Sequence, residues 1–173
     1  MIIRPATLTD LPHLLVLFQQ EIAYQKQITP FFDLAPDFDW SYFVETKLDN
    51  GSERIIVAED NGRLLGYIDV RALPPSIQFP RRRSILGRFS RRKVSHALVR
   101  PWTVGWSEDC YVESQFRRKG AGSALVKEGV AWLQARGANR LELAVSAANS
   151  DGRAFWEKQG FAICRLQMSK DHA

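Results

Sequence analysis

The stretch that decides the fold runs from Val112 to Leu125 and reads Val-Glu-Ser-Gln-Phe-Arg-Arg-Lys-Gly-Ala-Gly-Ser-Ala-Leu. A strand pattern ends at its beginning, a short turn carries two glycines, and helical spacing starts directly after them. The N-terminus of a helix presents unpaired N–H groups and the positive end of the helix dipole. With Arg117, Arg118 and Lys119 just ahead of the helix, the stretch predicts a cradle for a phosphate group. A plain strand-to-helix turn beside a basic surface is the other interpretation of the same residues.

Two common nucleotide motifs do not describe this turn. A Walker A loop requires Gly-x-x-x-x-Gly-Lys-Ser/Thr, which the stretch lacks. The dinucleotide fingerprint Gly-x-Gly-x-x-Gly fits Gly120 and Gly122, but Leu125 stands in place of the third glycine. The acidic residue at the right distance, Glu142, lies inside a strand pattern and not at its end. The pattern therefore disfavours a dinucleotide site.

Around this turn, helical and strand patterns alternate along the chain. The sequence predicts strands at 2–4, 54–58, 64–70, 103–112, 141–145 and 161–168, and helices from Thr7 or Thr9 to about Lys26, from near Asp39 to Asn50-Gly51, at 120–136 and at 149–159. Asn61-Gly62 predicts a hairpin turn, and Asn50-Gly51 predicts a left-handed helix end. This order indicates an α/β domain with a mixed sheet.

The charge of the chain is uneven. Nine of its 24 basic residues lie between Arg71 and Ser107, a stretch that contains none of the 19 acidic residues. Prolines and arginine clusters at about 72–101 predict a basic excursion from the domain. Three interpretations stay open for it: a solvated loop, a site for an acidic acceptor or partner, and a nucleic-acid-binding surface. Nucleic acid is the least favoured of the three.

Three further stretches join the glycine turn in one resemblance. Arg117-x-x-Gly120-x-Gly122 resembles the Q/R-x-x-G-x-G/A signature of the GNAT superfamily of N-acetyltransferases. "IIRPATLTDL", "IIVAEDNGRLLGYIDV" and "LAVSAANSDGRAFWEKQGF" resemble other parts of that family in the right order. The resemblance implies an acyl-CoA N-acyltransferase fold over residues 1–173: a mixed sheet of about six to seven strands, splayed between the fourth and fifth, with about four helices.

The resemblance also implies a cofactor, acetyl-CoA, with coenzyme A as product. Its pyrophosphate is expected on the backbone N–H groups of Arg117, Arg118, Lys119, Gly120, Ala121, Gly122 and Ser123. Its pantetheine arm is expected to pair with the backbone of Tyr111 and Val112 in the gap beside the fourth strand. Asn149 and Trp156 match positions near the cofactor, and Asn149 also suits a helix N-cap.

The chemistry that the resemblance implies is direct attack of a primary amine on the thioester in a ternary complex. Glu108 and Asp109 are candidates for the general base, because family members often use a carboxylate on the fourth strand; Glu113 is a weaker third candidate. Trp156 stands where the family commonly has a tyrosine acid, and an indole N–H is not a workable acid. Tyr111 or water is the alternative acid. A non-catalytic acyl-CoA-binding or regulatory domain therefore remains a second hypothesis.

The remaining predictions concern partners and location. The acceptor is expected to be a small molecule or a peptide with a primary amine, and an acidic acceptor is one option. A homodimer is a further option, with Trp102 and Trp106 beside the fourth strand. His and Cys spacing gives no metal site, and the cysteines are expected to be reduced and buried. The absence of a signal peptide or an apolar span predicts a cytoplasmic protein.

Overall fold

The computed structural model describes residues 1–29, 35–73 and 103–168 of the chain. These ranges contain β1 (Ile2–Pro5), α1 (Leu11–Ile28), α2 (Trp40–Asp49), β2 (Glu53–Asp60), β3 (Arg63–Ala72), β4 (Val104–Val112), α3 (Ala121–Ala135), β5 (Arg140–Leu143) and α4 (Ser150–Lys158). Short 3-10 turns at Leu8–Asp10 and Ser114–Phe116 precede α1 and α3. The predicted α/β class and the four predicted helices are confirmed.

The strands form one sheet in the order β1-β2-β3-β4-β5. The first four strands pair antiparallel, whereas β5 lies parallel to β4, so the predicted mixed sheet is confirmed. Asn61 and Gly62 both have left-handed backbone angles and form the predicted β2–β3 turn. The helix α3 makes the crossover that two parallel neighbours require, and its start is therefore fixed close to the end of β4.

The prediction of six to seven strands is wrong for the described residues, which form five strands. The missing element is the predicted last strand at 161–168, which follows α4 without forming a strand. Apart from Phe161, which packs on Trp156, its apolar side chains face solvent, with Ile163 68%, Leu166 80% and Met168 93% exposed. An apolar β-type sequence becomes a strand only where one face is buried against neighbours, and these side chains have no such face.

Most helix ends lie where the sequence predicts them, with two exceptions. The helix α1 begins at Leu11 with Asp10 as its N-cap, so the predicted cap at Thr7 or Thr9 is wrong; Thr7 caps the 3-10 turn that precedes α1. Asp39 caps α2 by accepting a hydrogen bond from a backbone N–H of the first turn at 2.9 Å. The helix α2 also ends before Asn50, but Asn50 is extended (φ −79°, ψ 110°), so the predicted left-handed end is wrong. The side-chain oxygen of Asn50 accepts a hydrogen bond from the backbone N of Ser52 at 3.0 Å and stabilises this extended turn instead.

Both faces of the sheet are covered. On the α3 face, α3 packs Leu125 and Leu133 against Ile56, Ile68 and Val70. On the opposite face, which we call the α1/α2 face, the buried apolar residues are Leu14, Leu17, Phe18, Val44, Ile55, Val57, Leu64 and Tyr67. Among the described residues, no helix has both the length and the apolarity needed to cross a bilayer.

Gly66 allows β3 to approach the end of β4 closely. A Cβ atom at this position would lie 2.3 Å from the carbonyl oxygen of Tyr111 and 2.8 Å from the Cα of Val112. Because both are backbone atoms, we expect Gly66→Ala to push the strands apart and to lower the free energy of unfolding by about 2 kcal/mol. Urea unfolding measures this. Gly51→Ala is the matched control, since a Cβ there meets nothing within 4 Å; equal losses in both variants would contradict this account.

Candidate active site

The strands β4 and β5 separate in the middle of β4. Their register pairs run only from Val104↔Arg140 to Ser107↔Leu143. Beyond Ser107, β4 continues to Val112 with β3 as its only strand partner in the described residues. This is the splay expected between the fourth and fifth strands. The open edge at 108–112 carries backbone groups that an extended ligand can pair with.

A β-bulge lies at the point of separation. Asp69 and Val70 of β3 pair with Asp109 and Ser107 of β4, so Glu108 is the extra residue. Bulges re-aim side chains and are common next to active sites. Glu108 here contacts Arg71 on the α1/α2 face. The bulge therefore brings two adjacent carboxylates to that face beside the opening.

The two predicted base candidates differ in their partners. Glu108 forms an ion pair with Arg71, which also lies 3.4 Å from Glu53. Asp109 makes no hydrogen bond or ion pair with the part of the chain that the structure describes. Burial raises the pKa of Asp109; Lys47 acts against this shift and Glu108 adds to it. A carboxylate with a raised pKa is a stronger base than an ordinary one, and Asp109 is not neutralised by an ion pair, so the geometry favours Asp109 over Glu108.

A second aspartate, which sequence reasoning missed, faces Asp109. Asp69 is its direct partner across β3 and β4, so both side chains lie on one face. Asp69 is fully buried, and its Oδ2 lies 2.5 Å from Lys47 Nζ, whereas its Oδ1 has no hydrogen-bond partner. Burial raises the pKa of Asp69 to about 6, although Lys47 opposes the shift. Facing acids destabilise a sheet, so this pair indicates a role other than packing.

Glu21 of α1 is a second missed residue in the same place. It is 5% exposed and accepts a hydrogen bond from the buried hydroxyl of Tyr67, whose ring packs on Phe18 with centroids 4.2 Å apart. Burial raises the pKa of Glu21 to about 8, and Asp109 adds to the shift while Tyr67 opposes it. Helical periodicity assigns a charged residue to the solvent face, so the sequence carried no signal for this one.

The raised pKa of Glu21 predicts a pH dependence of stability. A carboxyl with a pKa of about 8 when folded and an ordinary value when unfolded stabilises the fold at low pH. That stability is lost as the pH rises toward 8, because the unfolded chain ionises first. We expect Glu21→Gln to gain stability relative to the wild type between about pH 5 and pH 8. Urea unfolding across this range, with the exposed Glu45→Gln as control, measures the difference. If the free energies of unfolding of Glu21→Gln and the wild type changed in parallel with pH, the raised pKa of Glu21 would be refuted.

The predicted phosphate cradle lies at the turn between β4 and α3. Arg118 (φ 63°) and Gly120 (φ 89°) are left-handed, and Gly120 is the N-cap of α3 with no side-chain cap. A Cβ at Gly120 would meet nothing within 4 Å, so the space beside the helix start is open. The first backbone bond of α3 runs from Ala124 N to Gly120 O at 3.0 Å. The N–H groups of residues 121–123 precede it and are left for a ligand.

A comparison with known protein families identifies the family of the chain. The model of the Acetyltransferase (GNAT) family matches residues 17–161. This chain belongs to the GNAT family. No curated protein gives a significant match.

Solved structures agree with the GNAT fold. A mutant of the BH1408 protein from Bacillus halodurans superposes with a TM-score of 0.79 at 19% identity, with 100% of both chains covered. A transcriptional regulator from Bacillus halodurans gives 0.69 at 17% identity over 99% of both chains. The aminoglycoside N-acetyltransferase AAC(6')-Iy in complex with CoA gives 0.67 at 16% identity, over 99% of this chain and 100% of that one. At these identities the likeness shows the fold alone.

Asn149 and Trp156, two residues of this GNAT chain predicted to lie near the cofactor, make contacts within the protein. Asn149 caps α4, because its Oδ1 accepts a hydrogen bond from Gly152 N at 2.8 Å. Trp156 packs between Phe155 and Phe161, with ring centroids 5.1 and 5.2 Å away. It belongs to the cluster on the α3 face, whereas Asp109 lies on the α1/α2 face. The structure therefore does not bring Trp156 together with the candidate base.

Arg117 of the GNAT signature turns away from the cradle. Its Nε donates a hydrogen bond to the carbonyl oxygen of Val112 at 2.8 Å, and its guanidinium lies over Tyr24 and Tyr111, 4.9 and 5.5 Å from the ring centroids. Burial raises the pKa of Tyr111, although Arg117 opposes the shift. Tyr111 thus keeps its proton and lies on the same face as Asp109.

The remaining predicted residues of this GNAT chain are an acid held in an ion pair, the two cysteines, and residues outside the described ranges. Glu113, the third base candidate, is buried and pairs with Arg63 at 2.7 Å. Cys164 is exposed, so its predicted burial is wrong; Cys110 is half-buried, and burial raises the pKa of its thiol. The basic excursion lies almost wholly at 74–102, outside the described residues, as does Trp102.

Proposed function

We propose that this GNAT protein transfers an acetyl group from acetyl-CoA to the primary amine of an acceptor, by direct attack in a ternary complex. One observation carries the proposal. The opening between β4 and β5 begins at Ser107, and the next residues of β4 bring an unpaired carboxylate, Asp109, to its rim. The cradle at 117–123 follows the same strand after the short 3-10 turn Ser114–Phe116. The proposed acetyl-CoA site and the proposed proton acceptor thus both lie at the C-terminal end of β4.

The described residues fit acetyl-CoA. Its pyrophosphate would be held by the backbone N–H groups of residues 118–123, at the open space beside Gly120. The backbone N–H of Arg117, which was also predicted to take part, already donates to the carbonyl oxygen of Ser114 at 3.3 Å. Its pantetheine arm would lie along the open edge of β4, beside Tyr111 and Val112. Val112 O already accepts a hydrogen bond from Arg117, so the arm would share this oxygen with Arg117 through its second lone pair. When bound, acetyl-CoA supplies a thioester carbonyl that an amine can attack.

The residues of the chain then supply the proton transfers. An acceptor amine arrives as an ammonium ion, and Asp109 takes a proton from it, which frees the nitrogen lone pair. The nitrogen forms a bond to the acetyl carbon as the bond from that carbon to sulfur breaks. The proton that leaves the nitrogen on amide formation ends on the thiolate, either through the hydroxyl of Tyr111 or through water. Arg71 neutralises Glu108, which leaves Asp109 as the base.

A covalent acyl-cysteine route is disfavoured by the placement of the thiols. Cys110 packs against the cluster on the α3 face, and burial raises the pKa of its thiol, so little thiolate is available. Cys164 lies beside Arg140, whose register partner Val104 is at the end of β4 away from the opening. This supports a single direct transfer.

A non-catalytic acyl-CoA-binding or regulatory domain is the second candidate. Trp156 occupies the position where a family tyrosine would donate a proton, and it packs in an aromatic cluster. A structural neighbour is described as a transcriptional regulator. Residues 1–173 as a single domain, a homodimer and a cytoplasmic location remain predictions.

The test is release of free thiol from acetyl-CoA in the presence of a broad panel of primary amines. Amine-dependent release, with an acetylated product of matching mass, supports the transferase. Calorimetric binding of acetyl-CoA without transfer to any amine in the panel supports the second candidate instead. Absence of acetyl-CoA binding would contradict both the transferase and the acyl-CoA-binding domain.

A further inference from the structure

The side chain of Arg117 is tied to the end of β4 and not to the open space of the cradle. Its Nε donates a hydrogen bond to the carbonyl oxygen of Val112 at 2.8 Å, and its guanidinium lies 5.5 Å from the ring centroid of Tyr111. Among the described residues, Arg117 forms no ion pair with a carboxylate. A guanidinium that no acid neutralises exerts its charge on the aromatic side chain beside it. Arg117 is therefore placed to act on Tyr111.

Tyr24 of α1 holds the same guanidinium from another element. The guanidinium carbon of Arg117 lies 4.9 Å from the ring centroid of Tyr24. Tyr24 follows the buried Glu21 by one helical turn, so both lie on the side of α1 that packs on the sheet. Arg117 thus has three contacts that fix its position: a backbone oxygen of β4, a ring of β4 and a ring of α1.

The hydroxyl of Tyr111 is oriented by this arrangement. Tyr111 follows Asp109 by two residues on β4, so both side chains lie on the α1/α2 face. Burial raises the pKa of Tyr111, whereas Arg117 opposes the shift by its charge and by a side-chain hydrogen bond to the phenol. Because a guanidinium carries donors only, the phenol oxygen accepts this bond, and its own proton remains available for transfer.

We propose that Arg117 is the positioning residue of a proton donor, Tyr111, and that Tyr24 holds Arg117 in place. The proposal rests on the proposed function and deepens it, because it names a device that replaces the tyrosine acid common in the family. Trp156 occupies the position of that tyrosine and packs on the α3 face, away from the candidate base. The arginine of the cofactor signature would then serve the proton transfer through its side chain, while the neighbouring backbone serves the pyrophosphate.

The proton transfers close without a further reactant. The amine nitrogen forms its bond to the acetyl carbon, while the bond from that carbon to sulfur breaks and leaves its electron pair on sulfur. The hydroxyl proton of Tyr111 passes to the sulfur and gives the free thiol. The proton that leaves the nitrogen on amide formation then restores the phenol. Arg117 stabilises the phenolate between these two transfers.

The titratable groups around Tyr111 come from α1, β3, β4 and the turn after β4: Glu21, Tyr24, Tyr67, Asp109, Glu113 and Arg117. Glu21 and Glu113 raise the pKa of Tyr111. Glu113 is paired with Arg63 at 2.7 Å, and Glu21 keeps its own proton near neutral pH because burial raises its pKa to about 8. Arg117 is thus the charge that the structure places against the phenol.

Ultraviolet titration of tyrosine ionisation tests the pairing of Arg117 with Tyr111 without turnover. The chain has four tyrosines, so each variant is compared with the same variant carrying Tyr111→Phe, which isolates the titration of Tyr111. We expect Arg117→Gln to move this titration to higher pH by at least about half a unit, because the phenolate loses its cation. Arg117→Lys keeps the charge and should move it less. Incorporation of difluorotyrosine, whose phenol ionises at lower pH, brings the titration into the range in which the fold persists.

The matched control for the arginine lies at the other end of α3. Arg136 also lies over an aromatic ring, 3.7 Å from the centroid of Trp132. Arg136→Gln removes the same charge and should leave the titration of Tyr111 unchanged. An unchanged titration in a folded Arg117→Gln variant would overturn the proposal and reduce Arg117 to a structural tie between β4 and α1.

Kinetics test the role of the proton donor. We expect Tyr111→Phe to lower kcat for amine acetylation by at least about tenfold, whereas the exposed Tyr42→Phe should act like the wild type. The basic limb of the kcat profile should move to higher pH in Arg117→Gln and stay near its wild-type position in Arg117→Lys. The acid limb, which reports the base, should stay in place in both. Undiminished kcat in a folded Tyr111→Phe variant would show that water protonates the thiolate and would overturn the proposal.

The failure of the proposed function gives a different result. A protein that acetylates amines but keeps its full kcat in Tyr111→Phe would lose only the proton donor. A protein that transfers no acetyl group to any amine of the panel would lose the acetyltransferase and the proton donor together, whatever the titration of Tyr111 shows.

Discussion

Replacing Gly120 by glutamate should weaken acetyl-CoA binding at least a hundredfold, or about 2.7 kcal/mol. Gly120 is left-handed (φ 89°) and is the N-cap of α3, where the unpaired N–H groups and the helix dipole attract a phosphate. A Cβ there would enter open space, so the new side chain would fill the place of the pyrophosphate without striking the protein. Its negative charge would repel the ligand. Calorimetric titration of acetyl-CoA measures the loss.

The matched control lies at the other end of the same helix. Gly137 has φ 82°, and a Cβ there also meets nothing within 4 Å. Gly137→Glu therefore adds the same side chain with the same backbone strain, far from the cradle, and should bind acetyl-CoA like the wild type. Gly120→Gln separates bulk from charge and should lose less than Gly120→Glu. Unchanged binding by a folded Gly120→Glu variant would show that the pyrophosphate lies elsewhere.

The cradle could be predicted from the sequence because its determinants are local. Arg117, Gly120 and Gly122 lie within six positions, and their chemistry depends on a turn and a helix start that the same residues encode. Gly122 also has a role that its local sequence does not predict. The sequence predicts only a backbone N–H for the pyrophosphate at this position, whereas a Cβ there would also lie 3.2 Å from the ring of Phe155. The absence of a side chain at Gly122 allows α4 to pack closely against α3.

The four neighbouring acidic residues Glu21, Asp69, Glu108 and Asp109 could be predicted only in part, because contacts between distant segments of the chain bring them together. Glu108 and Asp109 were candidates through the resemblance, yet nothing in the sequence separated them. The bulge at Glu108 and the ion pair with Arg71 do so, and both depend on the register of β3 with β4. Asp69 and Glu21 lie 40 and more positions from Asp109 along the chain, within segments whose periodicity indicates only an ordinary strand and an ordinary helix.

Asp109→Asn should lower the turnover number for amine acetylation by about a hundredfold to a thousandfold. The asparagine keeps the shape of the side chain but cannot take a proton from the acceptor. Acetyl-CoA binding should be unchanged, because the cradle lies at the other end of the β4–α3 turn. Glu108→Gln is the matched control, since it changes the neighbouring carboxylate that Arg71 already neutralises. Loss of turnover in Glu108→Gln with retention in Asp109→Asn would assign the base to Glu108.

The pH profile gives a second measurement on the same residue. Burial raises the pKa of Asp109, so the acid limb of kcat/KM should lie above the ordinary aspartate range. The charged groups around it are Glu21 of α1, Lys47 of α2, Asp69 of β3 and Glu108 of β4. Lys47 lowers this pKa, so Lys47→Met should move the limb to higher pH, because the base then holds its proton more tightly. A limb that stays in place, or moves to lower pH, in folded Lys47→Met would show that the titrating base is not Asp109.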